Sequence, residues 1–87
     1  MEFEWDAEKS QRTYENRGLS FEDAERIWLD EEAIEVPARS LGEERWARIG
    51  TLNGVVHTVI FTKRERKIRI ISVRRAKPSE EQYYGKK

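Results

Sequence analysis

Hydrophobic and polar residues alternate along three stretches in the second half of the chain, at the two-residue period of a half-buried strand. The stretches cover residues 45–52, 55–62 and 68–73, and four of the six residues in the last one are β-branched. Asn53-Gly54 separates the first two stretches, and this dipeptide favours a hairpin turn with positive φ at both positions. A charged turn over residues 63–67 leads into the third stretch. The pattern therefore predicts an antiparallel meander of three strands.

The first half of the chain carries the signals of two helices. Asp6 is a suitable N-cap for a polar helix over residues 7–16, and Gly18 suits the left-handed position that follows a helix. Ser20 and Asp23 have the spacing of a capping box. A stripe at helical spacing follows, formed by Phe21, Ala24, Ile27 and Trp28. These signals predict a second, amphipathic helix that packs this stripe against a core.

Shorter elements complete the predicted order. Phe3-Glu4-Trp5 alternates as a short strand would, and residues 33–37 are extended, with Pro37 unsuited to a central strand. After Pro78, Ser79 and Gln82 can cap a short last helix. The order is β-α-α-β-β-β-α. It predicts a single α+β domain over residues 1–87, with a small antiparallel sheet, helices packed on one face and the other face open.

Composition narrows the range of functions. With 87 residues, 37% hydrophobic and 39% charged, the chain has only a small core. The absence of cysteine excludes disulfides and thiolate metal sites, and with one histidine we expect neither a metal nor a cofactor. No apolar run approaches the roughly 20 residues of a membrane span, and the acidic start has no signal-peptide pattern. We therefore expect a cytoplasmic protein that does not contact a membrane.

The net charge of zero hides a division between the two halves of the chain. Residues 1–44 contain 14 acidic and 5 basic side chains, and residues 45–87 contain 3 acidic and 12 basic ones, so the halves carry −9 and +9. Such a chain can present a basic face to a polyanion, or bind a partner of opposite charge or a second copy of itself. Alternatively, the two halves interleave in space and their charges largely cancel.

The basic charge is concentrated around the third predicted strand. Eight cations lie along it or beside it: Lys63, Arg64, Arg66, Lys67, Arg69, Arg74, Arg75 and Lys77. A strand that combines core positions with guanidinium groups can form a rigid site for an anionic ligand. The alternative is a solvated edge strand whose charges discourage pairing with other chains.

Several blocks of the sequence, in order, resemble the BrnT family of toxins. They are Phe-Glu-Trp-Asp at 3–6, Lys9, Gly-Leu-Ser-Phe-Glu-Asp-Ala at 18–24, Glu-Arg-Trp at 44–46 with Ile-Gly at 49–50, and Arg-Ile-Ile-Ser-Val-Arg-Arg-Ala at 69–76. The resemblance implies a RelE-like fold and the toxin role of a type II toxin–antitoxin module. It also implies a ribonuclease that inhibits translation, with RNA as substrate and a ribbon-helix-helix, BrnA-like antitoxin as partner.

The first predicted helix departs from the family pattern. Members of the family often carry Asn and then Lys-His before the glycine, where this chain has Thr13, Asn16 and Arg17. The alternative function is therefore a non-catalytic module that binds nucleic acid or an antitoxin and has lost cleavage.

Metal-independent RNA cleavage would require groups that move protons and groups that stabilise the charged phosphorane. For stabilisation by fixed cations, the candidates are Arg45, Arg64, Arg69 and Arg74. Arg69 and Arg74 are an odd number of residues apart, so an unbroken strand directs them to opposite faces of the sheet. A β-bulge near Ser72 would bring them to the same face.

The proton carriers are less well defined by the sequence. His57 is one candidate for the general acid or base, because histidine exchanges protons near neutral pH. Its alternating neighbours Val55, Val59 and Phe61 instead favour a buried structural histidine. Glu44, Lys63 and a terminal tyrosine are further candidates, and the residue pattern does not select among them.

Overall fold

A computed structural model of the chain describes residues 1–85. The elements in chain order are β1 (Glu2–Glu4), α1 (Ala7–Arg17), α2 (Phe21–Glu25), a 3-10 helix (Arg26–Leu29), β2 (Ile34–Ala38), β3 (Arg45–Leu52), β4 (Val55–Arg64), β5 (Lys67–Arg75) and α3 (Pro78–Tyr84). The five strands form one sheet in the order β1-β5-β4-β3-β2. The α+β class and the predicted element order are confirmed, and the predicted extended segment 33–37 corresponds to the edge strand β2, which includes Pro37.

The residues that predicted turns and helix caps form those turns and caps in the structure. Asn53 and Gly54 have φ of 53° and 78°, the positive values that the β3–β4 hairpin turn requires. The Asp6 carboxylate accepts from the backbone N–H groups of Glu8 and Lys9, and Ser20 forms its capping box with Asp23.

The core lies on one face of the sheet, which we call the core face. Phe21, Ala24 and Ile27 are completely buried there and pack on side chains of β3, β4 and β5. The Trp28 ring makes edge contacts with Phe3 at 5.0 Å and Phe61 at 5.1 Å between centroids. The predicted apolar stripe is therefore confirmed, and it holds α2 and the 3-10 helix against the sheet.

The sheet is mixed, whereas the sequence predicted an antiparallel one. β1 runs parallel to β5, with Phe3 beside Ile68 and Glu4 beside Arg69. This arrangement places the Phe3 ring on the core face against Trp28. A parallel pair needs a long crossover connection, and the rest of the chain supplies it.

The predicted open face is partly covered, because α3 packs on the side of the sheet opposite the core. Glu80 accepts a hydrogen bond from the Thr58 hydroxyl on β4 at 3.0 Å, and Tyr84 donates to Asp30 at 2.8 Å. The predicted cap of this helix is also wrong. Its N-cap is Lys77, whose backbone N–H donates to Glu80 at 2.7 Å, and Pro78 occupies the first turn. Within residues 1–85, no helix is both long and apolar enough to cross a membrane.

Candidate functional site

A β-bulge in β5 determines which arginines share a face. Ile60 pairs with Ser72 and Phe61 pairs with Ile70, so Ile71 is an extra residue in β5. Arg69 therefore lies opposite Thr62 and Arg74 opposite Thr58, and both arginines lie on the face opposite the core, here called the second face. The structure thus contains a bulge next to Ser72, and this bulge brings Arg69 and Arg74 to the same face.

The other two predicted arginines lie on the same face. Arg64 is two residues beyond Thr62 on β4, and Arg45 precedes Trp46, whose strand partner Phe61 faces the core. The Thr62 hydroxyl donates to the Glu44 carbonyl at 2.7 Å and fixes the start of β3 beside β4. All four arginines predicted from the sequence are therefore on the second face.

A cleft on the second face, the arginine cleft, lies between the sheet and the helices α1 and α3. Its volume is about 860 Å³. Its floor is apolar and is formed by Val36, Ala47, Ile49, Ile60 and Ile71. Its charged groups are Lys9, Arg39, Arg45, Arg74, Lys77 and Glu80. Five cations and one carboxylate give it a formal charge of +4, so the cleft suits a polyanion with apolar parts.

A smaller cavity of about 260 Å³ adjoins the turn between β4 and β5. Arg45, Arg64 and Arg69 line it together with Lys9 and two acidic residues, Asp6 and Glu43. Arg45 and Lys9 line both this cavity and the arginine cleft. Arg69 and Arg74 are four ladder positions apart along β4, or roughly 13 Å at about 3.3 Å per residue. They therefore serve different parts of the second face rather than one point.

Three of the four arginines are paired with carboxylates of the chain. Arg64 and Arg69 each make one ion pair at 3.1 Å, with Glu43 and Glu4 respectively. Arg74 binds Glu80 through two hydrogen bonds of 2.7 and 2.9 Å. In contrast, Arg45 has no hydrogen-bond or ion-pair partner for its side chain within the described residues. Arg45 therefore keeps its full charge and all its donors for a ligand.

Arg74 and Glu80 form a hydrogen-bonded ion pair in the cleft. The hydrogen bonds from Arg74, helped by those from Lys77 N–H and Thr58, outweigh burial and lower the pKa of Glu80 to about 2. The same hydrogen bonds raise the pKa of Arg74. Glu80 is thus a carboxylate at any physiological pH, held in place by partners from β4, β5 and its own helix.

His57 lies apart from the arginine cleft. It is on β4, in register with Gly50 and Arg75, and its side chain belongs to the core face. The residue is only 6% exposed, and its Nδ1 lies 2.8 Å from the Val55 carbonyl oxygen. The structure therefore brings the four arginines to one face and does not bring His57 to them.

Sequence reasoning missed Lys9 and Glu80 as residues of the cleft, and of the terminal tyrosines that it left open as candidates, Tyr83 lines the cleft. Lys9 is in the first turn of α1, where the Asp6 cap fixes the helix start and points this half-buried lysine towards the sheet. Glu80 sits three residues after the N-cap Lys77, a capping spacing that could have been read from the sequence. Nothing local signals that α3 folds back over the second face. Among residues 1–85, no three Asp, Glu or His side chains are grouped so that they could hold a metal ion.

Comparison with known protein families gives a match over most of the chain. A search of curated proteins found no match. Residues 5–80 match the model of a family described as the ribonuclease toxin, BrnT, of type II toxin–antitoxin systems. The matched segment includes the strands β2 to β5 but not β1, and it contains the four arginines of the second face. Because the match spans most of the 87 residues, the chain belongs to the BrnT family of ribonuclease toxins.

Proposed function

We propose that this chain is an endoribonuclease that cleaves RNA in the arginine cleft without a metal ion and thereby inhibits translation. The observation that carries the proposal is the set of cations that the β5 bulge gathers on one face, around a cleft of formal charge +4. Membership of a ribonuclease toxin family supplies the substrate class. RNA fits the cleft because it combines phosphates with bases that can pack on apolar surface.

The proposed reaction is an attack of the RNA 2′-oxygen on the adjacent phosphate. The 2′-OH proton passes to a base, the bond to the 5′-oxygen breaks, and an acid protonates that leaving oxygen. The products are a 2′,3′-cyclic phosphate and a 5′-hydroxyl. Fixed cations stabilise the phosphorane because they need no reorganisation as its charge develops. We assign this role first to Arg45 and Arg74, with Arg64 and Arg69 holding the neighbouring part of the strand.

Arg74 keeps binding capacity although it is paired. A guanidinium has five N–H donors, and Arg74 uses three of them, two on Glu80 and one on the Arg75 carbonyl at 3.3 Å. The Nε–H and one Nη2–H remain on one edge, which matches the bidentate geometry of a phosphate. Glu80, on this proposal, orients the fork of Arg74.

The groups proposed to move protons are Lys9 and Tyr83, which line the cleft from α1 and α3. Glu80 is a weak base, since a carboxylate with a pKa of about 2 is poorly matched to proton abstraction near neutral pH. His57 is not assigned to this step because its ring is on the core face. Lys9→Met and Tyr83→Phe should each lower the single-turnover cleavage rate, whereas RNA affinity should fall for Lys9→Met alone.

Cleavage of a labelled single-stranded RNA by the purified chain tests the proposal. We expect cleavage in the presence of EDTA, products with 2′,3′-cyclic phosphate ends, and growth arrest on expression. Arg45→Ala removes an exposed, unpaired cation and should abolish both effects while leaving the thermal unfolding midpoint unchanged. Arg66→Ala, in the β4–β5 turn and outside both cavities, is the matched control. Salt-sensitive RNA binding without product would instead identify a non-catalytic module, and cleavage that requires a metal would refute the mechanism.

We also propose that a ribbon-helix-helix antitoxin inhibits the chain by covering the arginine cleft. The charge of the cleft supports an acidic contact surface on that partner. Arg45→Glu should then weaken antitoxin binding much more than Arg66→Glu, as measured by calorimetry with the purified partner. Equal affinities for the two variants would place the antitoxin elsewhere.

A further inference from the structure

A third cavity, the end pocket, opens on the core face beside the β3–β4 hairpin. Its volume is about 620 Å³, within the roughly 300–1,000 Å³ that small-molecule sites occupy. Leu19, Leu52 and Val55 form apolar walls. Neither the arginine cleft nor the proposed reaction uses this cavity.

His57 gives the end pocket a buried hydrogen-bonding group. Its Nδ1 lies 2.8 Å from the Val55 carbonyl oxygen, and because a carbonyl only accepts, Nδ1 carries the hydrogen. Nε2 is then the ring nitrogen left to face a ligand. No hydrogen-bond partner for Nε2 is present within residues 1–85, yet every fully buried side-chain nitrogen and oxygen there is satisfied. The Nε2 atom must then retain contact with solvent, which it reaches through the pocket that His57 lines.

Three cations surround the same pocket. Arg17 is held at the rim by a hydrogen bond of 2.8 Å from its Nη1 to the Val73 carbonyl. Arg75 is exposed, and its guanidinium has no partner in the described part of the chain. Arg74 lines the end pocket as well as the arginine cleft, and its guanidinium is bound to Glu80 on the second face. A ligand that fills the pocket and pairs with these groups has a flat apolar body, a hydrogen-bond donor on its edge and a phosphate.

We propose that the end pocket binds one base of the RNA, with the phosphate of that nucleotide on Arg75 and the adjoining phosphate on Arg74. This inference rests on the proposed function for the identity of the ligand. Single-stranded RNA is recognised through unstacked bases that enter pockets of this kind. Because Arg74 lines the pocket and has its guanidinium on the second face, a strand that passes around β5 at Arg74 would run from the pocket into the arginine cleft, where it is cut. The pocket therefore selects which nucleotide stands next to the cleaved bond.

Titration with mononucleotides tests the binding step directly. His57 is the single histidine of the chain, so its ring resonances in heteronuclear NMR spectra are identified without ambiguity. Adenosine, guanosine, cytidine and uridine monophosphates are added separately, with inorganic phosphate as the parallel titration. We expect at least one nucleotide to shift the His57 ring signals saturably in the millimolar range, and phosphate at equal concentration to leave them in place. No saturable shift with any nucleotide, or an equal shift with phosphate, overturns the proposal.

Three variants locate the binding site. Val55 is 36% exposed, so Val55→Trp places a strand-compatible ring over the mouth of the pocket without crowding the core, and it should abolish the shift. Arg75→Ala should weaken binding about tenfold, the effect of one lost charge-assisted contact. Arg66→Ala removes an equally exposed arginine away from the pocket and should bind as the wild type does. Wild-type affinity in Val55→Trp refutes the site.

RNA cleavage separates this inference from the proposed function. If the wild-type chain binds a mononucleotide at His57 but cuts no RNA, the end pocket is supported and the cleavage proposal fails. If it cuts RNA, Val55→Trp and His57→Phe should change the distribution of bases beside the cleaved bond, whereas Arg66→Ala should retain it. An unchanged distribution in both pocket variants refutes the role of the end pocket in selecting the base.

Discussion

Replacing Glu80 by Gln measures how strongly α3 is held on the second face. The ordinary pKa of 4.5 falls to about 2 in the folded chain, and at about 1.4 kcal/mol per pH unit the ionised carboxylate contributes at most roughly 3.5 kcal/mol. The side chain is still 17% exposed, and a glutamine oxygen can keep one of its hydrogen bonds. We therefore expect Glu80→Gln to lower the free energy of unfolding at pH 7 by about 1–2 kcal/mol, or the unfolding midpoint by about 5–10 °C.

The stabilisation by Glu80 should decrease as the pH falls. Because folding lowers the pKa of Glu80, its contribution is complete above pH 4.5 and disappears as the pH falls towards 2. Urea unfolding followed by tryptophan fluorescence gives the free energy of unfolding. The difference in this free energy between wild type and Glu80→Gln should be largest at pH 7 and should vanish near pH 2. Glu81→Gln is the control, since it removes the same charge from an exposed site on the same helix. A gap that stays constant with pH, or an equal effect from Glu81→Gln, would refute the reasoning.

Two further predictions concern the contacts that position the same elements. Tyr84→Phe removes the 2.8 Å hydrogen bond to Asp30, so we expect a loss of about 1 kcal/mol at pH 7 and a higher pKa for Asp30, by NMR titration, than its present value of about 2. A cycle with Asp30→Asn that shows no coupling would contradict this. A Cβ at Gly50 would lie 2.9 Å from the Ile27 side chain, so Gly50→Ala should cost about 1–3 kcal/mol in urea unfolding. Gly85→Ala, with its nearest atom at 3.6 Å, should be neutral, and equal costs would refute the packing argument.

The parts of the fold predicted correctly are those determined by neighbouring residues. Asn53-Gly54 specifies its turn because few other dipeptides accept positive φ at both positions. Ser20 and Asp23 cap α2 through bonds that span three residues. The stripe beginning at Phe21 is buried because its spacing matches the helical period. Each of these signals is complete within a short window of sequence.

The parts that were missed depend on distant contacts. The parallel placement of β1 is set by Phe3 beside Ile68, a pairing of residues far apart in the chain. The return of α3 over the second face depends on Glu80 meeting Arg74 and on Tyr84 meeting Asp30. From the sequence it could be predicted that Arg69 and Arg74 share a face of the sheet only if β5 contains a bulge. Whether Ile71 is the extra residue depends on which register buries Ile70 and Val73 together.

The ion pairs of the cleft indicate which cations would attract RNA from a distance and which would orient it once it is bound. Arg64, Arg69 and Arg74 each form an ion pair with a carboxylate of the chain. The carboxylate offsets the positive charge, so the attraction of each pair for a distant phosphate is weak. Long-range attraction then falls to the cations that are unpaired within residues 1–85, foremost Arg45 and Lys9. For orienting a bound phosphate, a paired arginine has the advantage. A free arginine must lose side-chain entropy when it binds, whereas Glu80 already holds Arg74 with one edge of its fork unused. Affinity and its salt dependence should therefore follow the unpaired cations, whereas Arg74 should affect the cleavage rate more than the affinity.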